Sequence, residues 1–197
     1  MRGELEPTGT AARVLDAAER LVQSRGFNGF SYADVASELA ITKASLHYHF
    51  RGKAELGEAL ITRYSHRFMA ALERIDATSA EAPQKLARYA ELYASVLQDE
   101  RMCLCGMLAA DYSTLPPAMR AAVIRFFDQN QSWLEHVLEE GRESGTLHYE
   151  TGAAEEAQLI IGALEGAMLV ARPYGDPRRF ASAASRLLAT LTRTGAD

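Results

Sequence analysis

Sixteen consecutive residues between Glu38 and Glu55 contain no carboxylate, and they include Lys43, His47, His49, Arg51 and Lys53. Thr42, Ser45 and Tyr48 lie in the same stretch. Cations, hydroxyls, imidazoles and an aromatic edge suit phosphate oxygens and base edges, and the ring can also meet a thymine methyl. The chemistry on offer is contact with a nucleic acid. The net charge of -5 does not oppose it, because charge position matters more than the sum. Residues 1–56 hold seven Lys/Arg and seven Asp/Glu, so the whole acidic excess falls in residues 57–197.

Other chemistries find less support. The two cysteines, Cys103 and Cys105, exclude a disulfide framework and fit a reducing compartment. Met1 to Pro7 lacks a signal-peptide core, and the most apolar stretch, Ala157 to Ala171, is short and interrupted by Glu165. The expectation is a cytoplasmic protein with no membrane partner. None of the five histidines follows a Glu by three positions: those places hold Ala44, Leu46, Arg63, Trp133 and Gly145. H-E-x-x-H, G-x-S-x-G, P-loop and G-x-G-x-x-G motifs are absent too. Hence no enzyme, catalytic residue, metal site or cofactor is expected.

These residues need elements to hold them. At 197 residues, the chain can bury roughly 70% of its unfolded surface. Apolar residues recur at helical spacing nearly everywhere, with no convincing period-two run, so the fold class is all-α. Nine helices are predicted, at 10–25, 32–39, 43–49, 53–76, 83–99, 102–112, 117–143, 152–171 and 177–192. Ser31 with Asp34 forms a capping-box pattern, and Asp176 precedes a first-turn proline, Pro177. Between Phe30 and Phe50, two short helices meet at a turn spanning Ala40 to Thr42. Val35, Ala36, Leu39, Ile41, Leu46 and Phe50 face inward there.

This order of residues resembles the tetracycline-repressor (TetR) family of bacterial transcription regulators. The resemblance runs over residues 10–60: a first helix ending at Gly26-Phe27, then Phe30-Ser31, the Val35-Ala36 pair, the turn, and Leu46-His-Tyr-His-Phe50 followed by Lys53 and Leu56. It implies a helix-turn-helix DNA-binding domain over residues 8–53 and an effector-binding and dimerisation domain over residues 54–197, linked by the fourth helix. It assigns base contacts to Lys43 and Tyr48, with Ser45 shared between base and phosphate. His47, His49 and Lys53 would hold phosphates, Ser31 and Tyr32 would clamp the flanking backbone, and Thr42 joins the same face. The family usually has Gly at position 40 and Tyr at 47, where this chain has Ala and His. The turn is therefore expected to take a slightly different shape, and the His47 contact to depend on pH.

The rest of the chain carries weaker expectations. The helix at 152–171 is apolar around much of its circumference and must be covered; Gly162 and Gly166 would let another helix approach. The resemblance makes this helix and the next a homodimer interface formed by Ile161, Gly162, Glu165, Gly166, Leu169, Phe180, Ala184, Leu187, Leu188 and Leu191. An intramolecular core is the alternative, and Glu165 is expected to pair or to face a rim. It also implies a pocket for a small apolar or aromatic effector, with Phe68, Tyr93, Met102, Cys103, Met107, Phe126, Phe127, Trp133 and His136 as candidates. A ligand-released repressor on a pseudo-palindromic double-stranded operator follows. Cys103-Leu-Cys105-Gly106 matches a subset of the family with thiol sensors, so an electrophile- or oxidant-sensing repressor acting through Cys103 is the alternative. A helical enzyme or an adaptor that has lost DNA binding is a remoter one.

Overall fold

The computed structural model describes residues 9–192; Met1 to Pro7 and the outermost ends of both expected domains lie outside the described residues. Among the described residues there are nine α-helices and no strand. Their ranges are α1 Thr10–Arg25, α2 Tyr32–Leu39, α3 Lys43–His49, α4 Lys53–Thr78, α5 Ala82–Gln98, α6 Leu104–Ala110, α7 Pro117–Glu143, α8 Ala153–Ala171 and α9 Pro177–Leu191. The expected set is present, with every end within two residues. The chain divides into two compact units that are not consecutive in sequence. The N-terminal unit takes the chain to Arg67 together with Leu104–Arg125, and the C-terminal unit takes Phe68–Cys103 and the chain from Phe126 onward.

In the N-terminal unit, α1 buries Val14, Leu15, Ala18, Leu21 and Val22 on one stripe, against α2 and α6. It stops at Gly26, whose φ of 79° favours glycine. A Cβ there would also lie 2.9 Å from Asp111 Oδ2, which accepts the Phe27 N–H at 2.7 Å. α2 begins with the expected reciprocal cap: Ser31 Oγ accepts from Asp34 N–H, and the Asp34 carboxylate accepts from Ser31 N–H. α3 is capped by Thr42, whose Oγ1 accepts from Ser45 N–H at 3.1 Å.

The turn between α2 and α3 corrects one expectation. Ala40 adopts φ 52°, ψ 43°, the left-handed conformation that glycine would take, so the turn keeps its shape despite the Cβ. Backbone bonds hold it there, Ile41 N–H donating to Ala36 O at 3.0 Å. Relief of this strain outweighs the extra unfolded-state freedom of glycine, so Ala40→Gly should stabilise the protein by roughly 0.5–1 kcal/mol. A urea midpoint that falls would show that the alanine is unstrained.

α6 is shorter than predicted and begins at Leu104, leaving Cys103 ahead of the helix rather than inside its first turn. The cause lies upstream. The chain reverses after α5 with Glu100 at φ 57°, and Arg101 N–H returns to Val96 O. At its other end Asp111 leaves the helix, accepts from Phe27 and Asn28, and a 3₁₀ turn follows at Tyr112–Thr114.

In the C-terminal unit, α8 packs against α9 and α5 with Ala157, Ile160, Leu164, Met168 and Ala171 inward. α9 starts at the expected cap, Asp176 accepting from Arg178 N–H, and buries Phe180, Ala184 and Leu191. An aromatic cluster fills the centre: Phe68 meets Tyr89, Tyr93 and Phe126 edge-on, and Trp133 stacks on Tyr89 at 5.5 Å.

Candidate nucleic-acid interface and the core of the C-terminal unit

α3 is seven residues long and is held by its neighbours rather than by its own propensity. Leu46 and Phe50 are buried beneath it. That leaves Thr42, Lys43, His47 and Tyr48 exposed on its outer side, Tyr48 to 87%, with Ser45 and His49 half-buried. Tyr32 on α2 braces this face: its hydroxyl donates to Phe50 O at 3.1 Å, and its ring lies 4.9 Å from that of His47. Burial, and then the nearby Glu55 charge, push the Tyr32 phenol up to about 12, so it stays a neutral donor. His47 Nδ1 lies 3.1 Å from Arg51 O and must be its protonated nitrogen to donate there, leaving Nε2 for another partner.

Two of the expected DNA-contact residues, Lys53 and Ser31, make bonds within the chain. Lys53 turns inward, donating to the carbonyls of Phe27 and Phe30 and lying over both of their rings. Partial burial lowers its pKa despite the acids around it, Asp111 and Asp34. Its long stem lets the ammonium tie down the connection ahead of α2. Ser31 donates its hydroxyl to Asp34 at 2.6 Å, and that bond is the main reason the Asp34 carboxyl sits below its usual range. Sequence reasoning missed Asp111, which anchors the same connection; separated by 84 residues from Phe27, it leaves no local signal.

The second set of residues lies in the C-terminal unit. Tyr89 hydroxyl donates to Asn130 Oδ1 at 3.1 Å, and Tyr93 hydroxyl lies 3.1 Å from Tyr89. Because the Tyr89 proton goes to Asn130, the Tyr93 proton must go to Tyr89. Asn130 in turn donates to Phe126 O at 2.8 Å. Burial raises both phenols far above the ordinary range; the bond between them opposes the rise at Tyr89, which accepts, and adds to it at Tyr93, which donates. Beside them lies Glu165, whose Oε1 is buried with no hydrogen-bond partner among the described residues. Desolvation pushes this carboxyl up to about 7, against the smaller lowering effect of the Cys103 thiol. The expectation that Glu165 pairs or faces a rim fails at Oε1, which has no partner among the described residues.

Of the effector candidates, Phe68, Tyr93, Met102, Cys103 and Phe126 are buried in this unit, with Phe127 and Trp133 half-buried at its edge. Trp133 Nε1 donates to Asp76 at 2.9 Å. Two candidates sit elsewhere. His136 is on the exposed side of α7, paired with Glu140 one turn later, and Met107 belongs to the N-terminal unit. Cys103 is 1% exposed and Cys105 is fully buried, so a thiol sensor would first have to open.

The expected dimer residues divide. Phe180, Ala184 and Leu191 are buried within this chain, where α9 packs on α8 and α5; the intramolecular alternative holds for these three. Ile161, Glu165, Leu187 and Leu188 are half-buried. Gly162, Gly166 and Leu169 remain exposed on α8, with Leu159 and Val170 beside them. Among the described residues, no helix is long and apolar enough to cross a membrane, and no group of three His, Cys, Asp or Glu is placed to hold a metal.

Comparison with known proteins places this geometry. Residues 14–60 match the family described as bacterial regulatory proteins, tetR family, and residues 82–187 match the tetracyclin repressor-like C-terminal domain. A TetR regulator from Legionella pneumophila is 31% identical, with a TM-score of 0.85 over 95% of this chain and 100% of its own. A TetR-family regulator from Agrobacterium tumefaciens is 29% identical, with a TM-score of 0.89 over 93% and 97%. The HTH-type transcriptional repressor NemR of Escherichia coli K12 is 26% identical, over 83% of this chain and 84% of its own. With a helix-turn-helix at its head and a helical regulatory domain behind it, the chain belongs to the tetR family of bacterial regulatory proteins.

Proposed function

We propose that the protein is a homodimeric transcriptional repressor that binds a pseudo-palindromic DNA operator through α3 and is released by a small effector with an apolar or aromatic body. The observation that carries this reading is the outward face of α3: Lys43, His47 and Tyr48 exposed together, free of carboxylates, on a frame locked by Thr42, Tyr32 and Phe50. Two such helices in a dimer would enter successive major grooves about 34–36 Å apart. The exposed apolar and glycine face of α8 supports self-association. The aromatic core around Phe68, Tyr93 and Phe126 supports an effector of matching chemistry. Effector binding acts through α4, which contributes to both units, by favouring a dimer with the wrong head spacing.

In this scheme Lys43 and Tyr48 read bases, Ser45 bridges base and phosphate, and His47 and His49 hold phosphates. Ser31 and Tyr32 flank the backbone, and Lys53 serves as a positioning residue. Fluorescence anisotropy on operator and random duplexes separates these roles. Tyr48→Ala or Lys43→Ala should cost about 1–3 kcal/mol on operator and much less on random DNA. Lys53→Met should lower the melting temperature while leaving the salt slope unchanged. Equal losses on both DNAs for Tyr48→Ala and Lys43→Ala would refute base reading by α3.

A further inference from the structure

The buried polar cluster of the C-terminal unit offers acceptors and withholds donors. Its hydroxyl protons are committed: Tyr93 donates to Tyr89 and Tyr89 to Asn130. Glu165 Oε1 is buried without a partner among the described residues, and Tyr93 oxygen receives no bond from Tyr89 because its neighbour's proton is spent on Asn130. Both tyrosines feel the Glu165 charge, so the acid lies close to the hydroxyl chain. Around them are ring faces and edges: Phe68 meets both tyrosines and Phe126, and Trp133 stacks on Tyr89.

A buried carboxyl is expensive unless something supplies a donor and, better, a positive charge. No described residue does so at Oε1. A core that needed only packing would be served by leucine or glutamine at position 165. An incoming ammonium, by contrast, brings both donor and charge, while aromatic faces accommodate its apolar body and attract its cation. A donor-free ligand would leave Oε1 unpaired, and an anion would add repulsion.

We propose that the effector is a protonated amine on a small aromatic or apolar body, its nitrogen donating to Glu165 Oε1 within the Phe68, Tyr89, Tyr93 and Phe126 cluster. This rests on the reading that the C-terminal unit takes an effector, and it commits that reading to one ligand class. Anionic aromatic ligands are rejected, and neutral hydrocarbons of the same shape bind weakly. Glu165 is then the specificity-determining residue of the site.

Trp133 is the single tryptophan and stacks on Tyr89, so its emission reports occupancy of the cluster. The full-length protein is titrated at pH 8 with benzylamine, 2-phenylethylamine and 1-naphthylmethylamine. Each is set against a hydrocarbon with a methyl in place of the amine, and 3-phenylpropanoate serves as the anion. At least one amine should bind tenfold or more tightly than its hydrocarbon partner, and Glu165→Gln should remove about that factor. Glu165→Gln keeps the side-chain shape, and circular dichroism and melting confirm its fold. Tyr93→Phe, which retains Oε1, should keep the amine preference. Hydrocarbons that bind as tightly as amines would overturn the assignment of Glu165 while leaving an effector core in place. Absence of any emission change across all probes would overturn the proposal and also remove the support this core lends to an effector-released regulator.

Discussion

Replacing Arg63 by methionine should cost the protein roughly 3–5 kcal/mol, the penalty of stripping the partner from a buried charge. Arg63 stands on α4, its side chain 9% exposed, and ties α4 to α1 through Asp16 Oδ1 at 2.8 Å and Glu19 Oε2 at 3.0 Å. Glu19 is as buried as Arg63, and its other oxygen pairs with Arg67. In Arg63→Met the exposed Asp16 can turn to water, and Arg67 still reaches one Glu19 oxygen, but Oε2 is left buried without its cation. The companion variant Arg63→Met with Glu19→Leu removes both buried charges and should recover most of the loss. Urea unfolding of the three proteins checks this. A loss below about 1 kcal/mol for Arg63→Met would mean the network is solvated and does not fix α1 on α4.

The second large effect is a pH dependence that Glu165 imposes on folding. Its carboxyl is pushed up to about 7 in the folded chain, from an ordinary 4.5, because burial disfavours the charged form. A folded pKa above the unfolded one contributes stability that is full below about 4.5. That stability is lost as pH rises through about 7. The loss amounts to roughly 3 kcal/mol between these limits. Glu165→Gln should therefore gain on the parent protein as pH rises from 4.5 to 8, and the difference between the two should level off above pH 7. Urea midpoints at pH 4.5, 6 and 8 measure it. Parallel pH profiles for the two proteins would show that the Glu165 carboxyl is hydrated.

The helix-turn-helix was legible because each of its parts is written locally. A capping pair at Ser31 and Asp34, a threonine at 42 and four-residue spacing from Leu46 to Phe50 each determine one feature of the backbone. Lys53 was not legible, since a four-carbon stem allows its ammonium to reach either a phosphate or the Phe27 and Phe30 carbonyls from one helix position. The apolar stripe of α9 shows a similar ambiguity: spacing says that Phe180, Ala184 and Leu191 are covered, without saying whether this chain or a second copy covers them. His136 lies one turn beyond Trp133, yet only the packing of α7 reveals that it faces outward toward Glu140. Glu165 was conspicuous as an acid in an apolar helix, but only the packing around α8 reveals that its Oε1 is buried with no partner among the described residues.

In the proposed complex, two copies of α3 read a symmetric DNA sequence. Selection of binders from random-sequence duplexes at physiological salt, followed by sizing of the bound complex, tests it most directly. The expected result is enrichment of a pseudo-palindrome with half-sites about one helical turn apart, bound by two chains, and loss of that enrichment in Tyr48→Ala. Recovery of unrelated sequences at the non-specific level, or of an asymmetric site bound by a single chain, would contradict it.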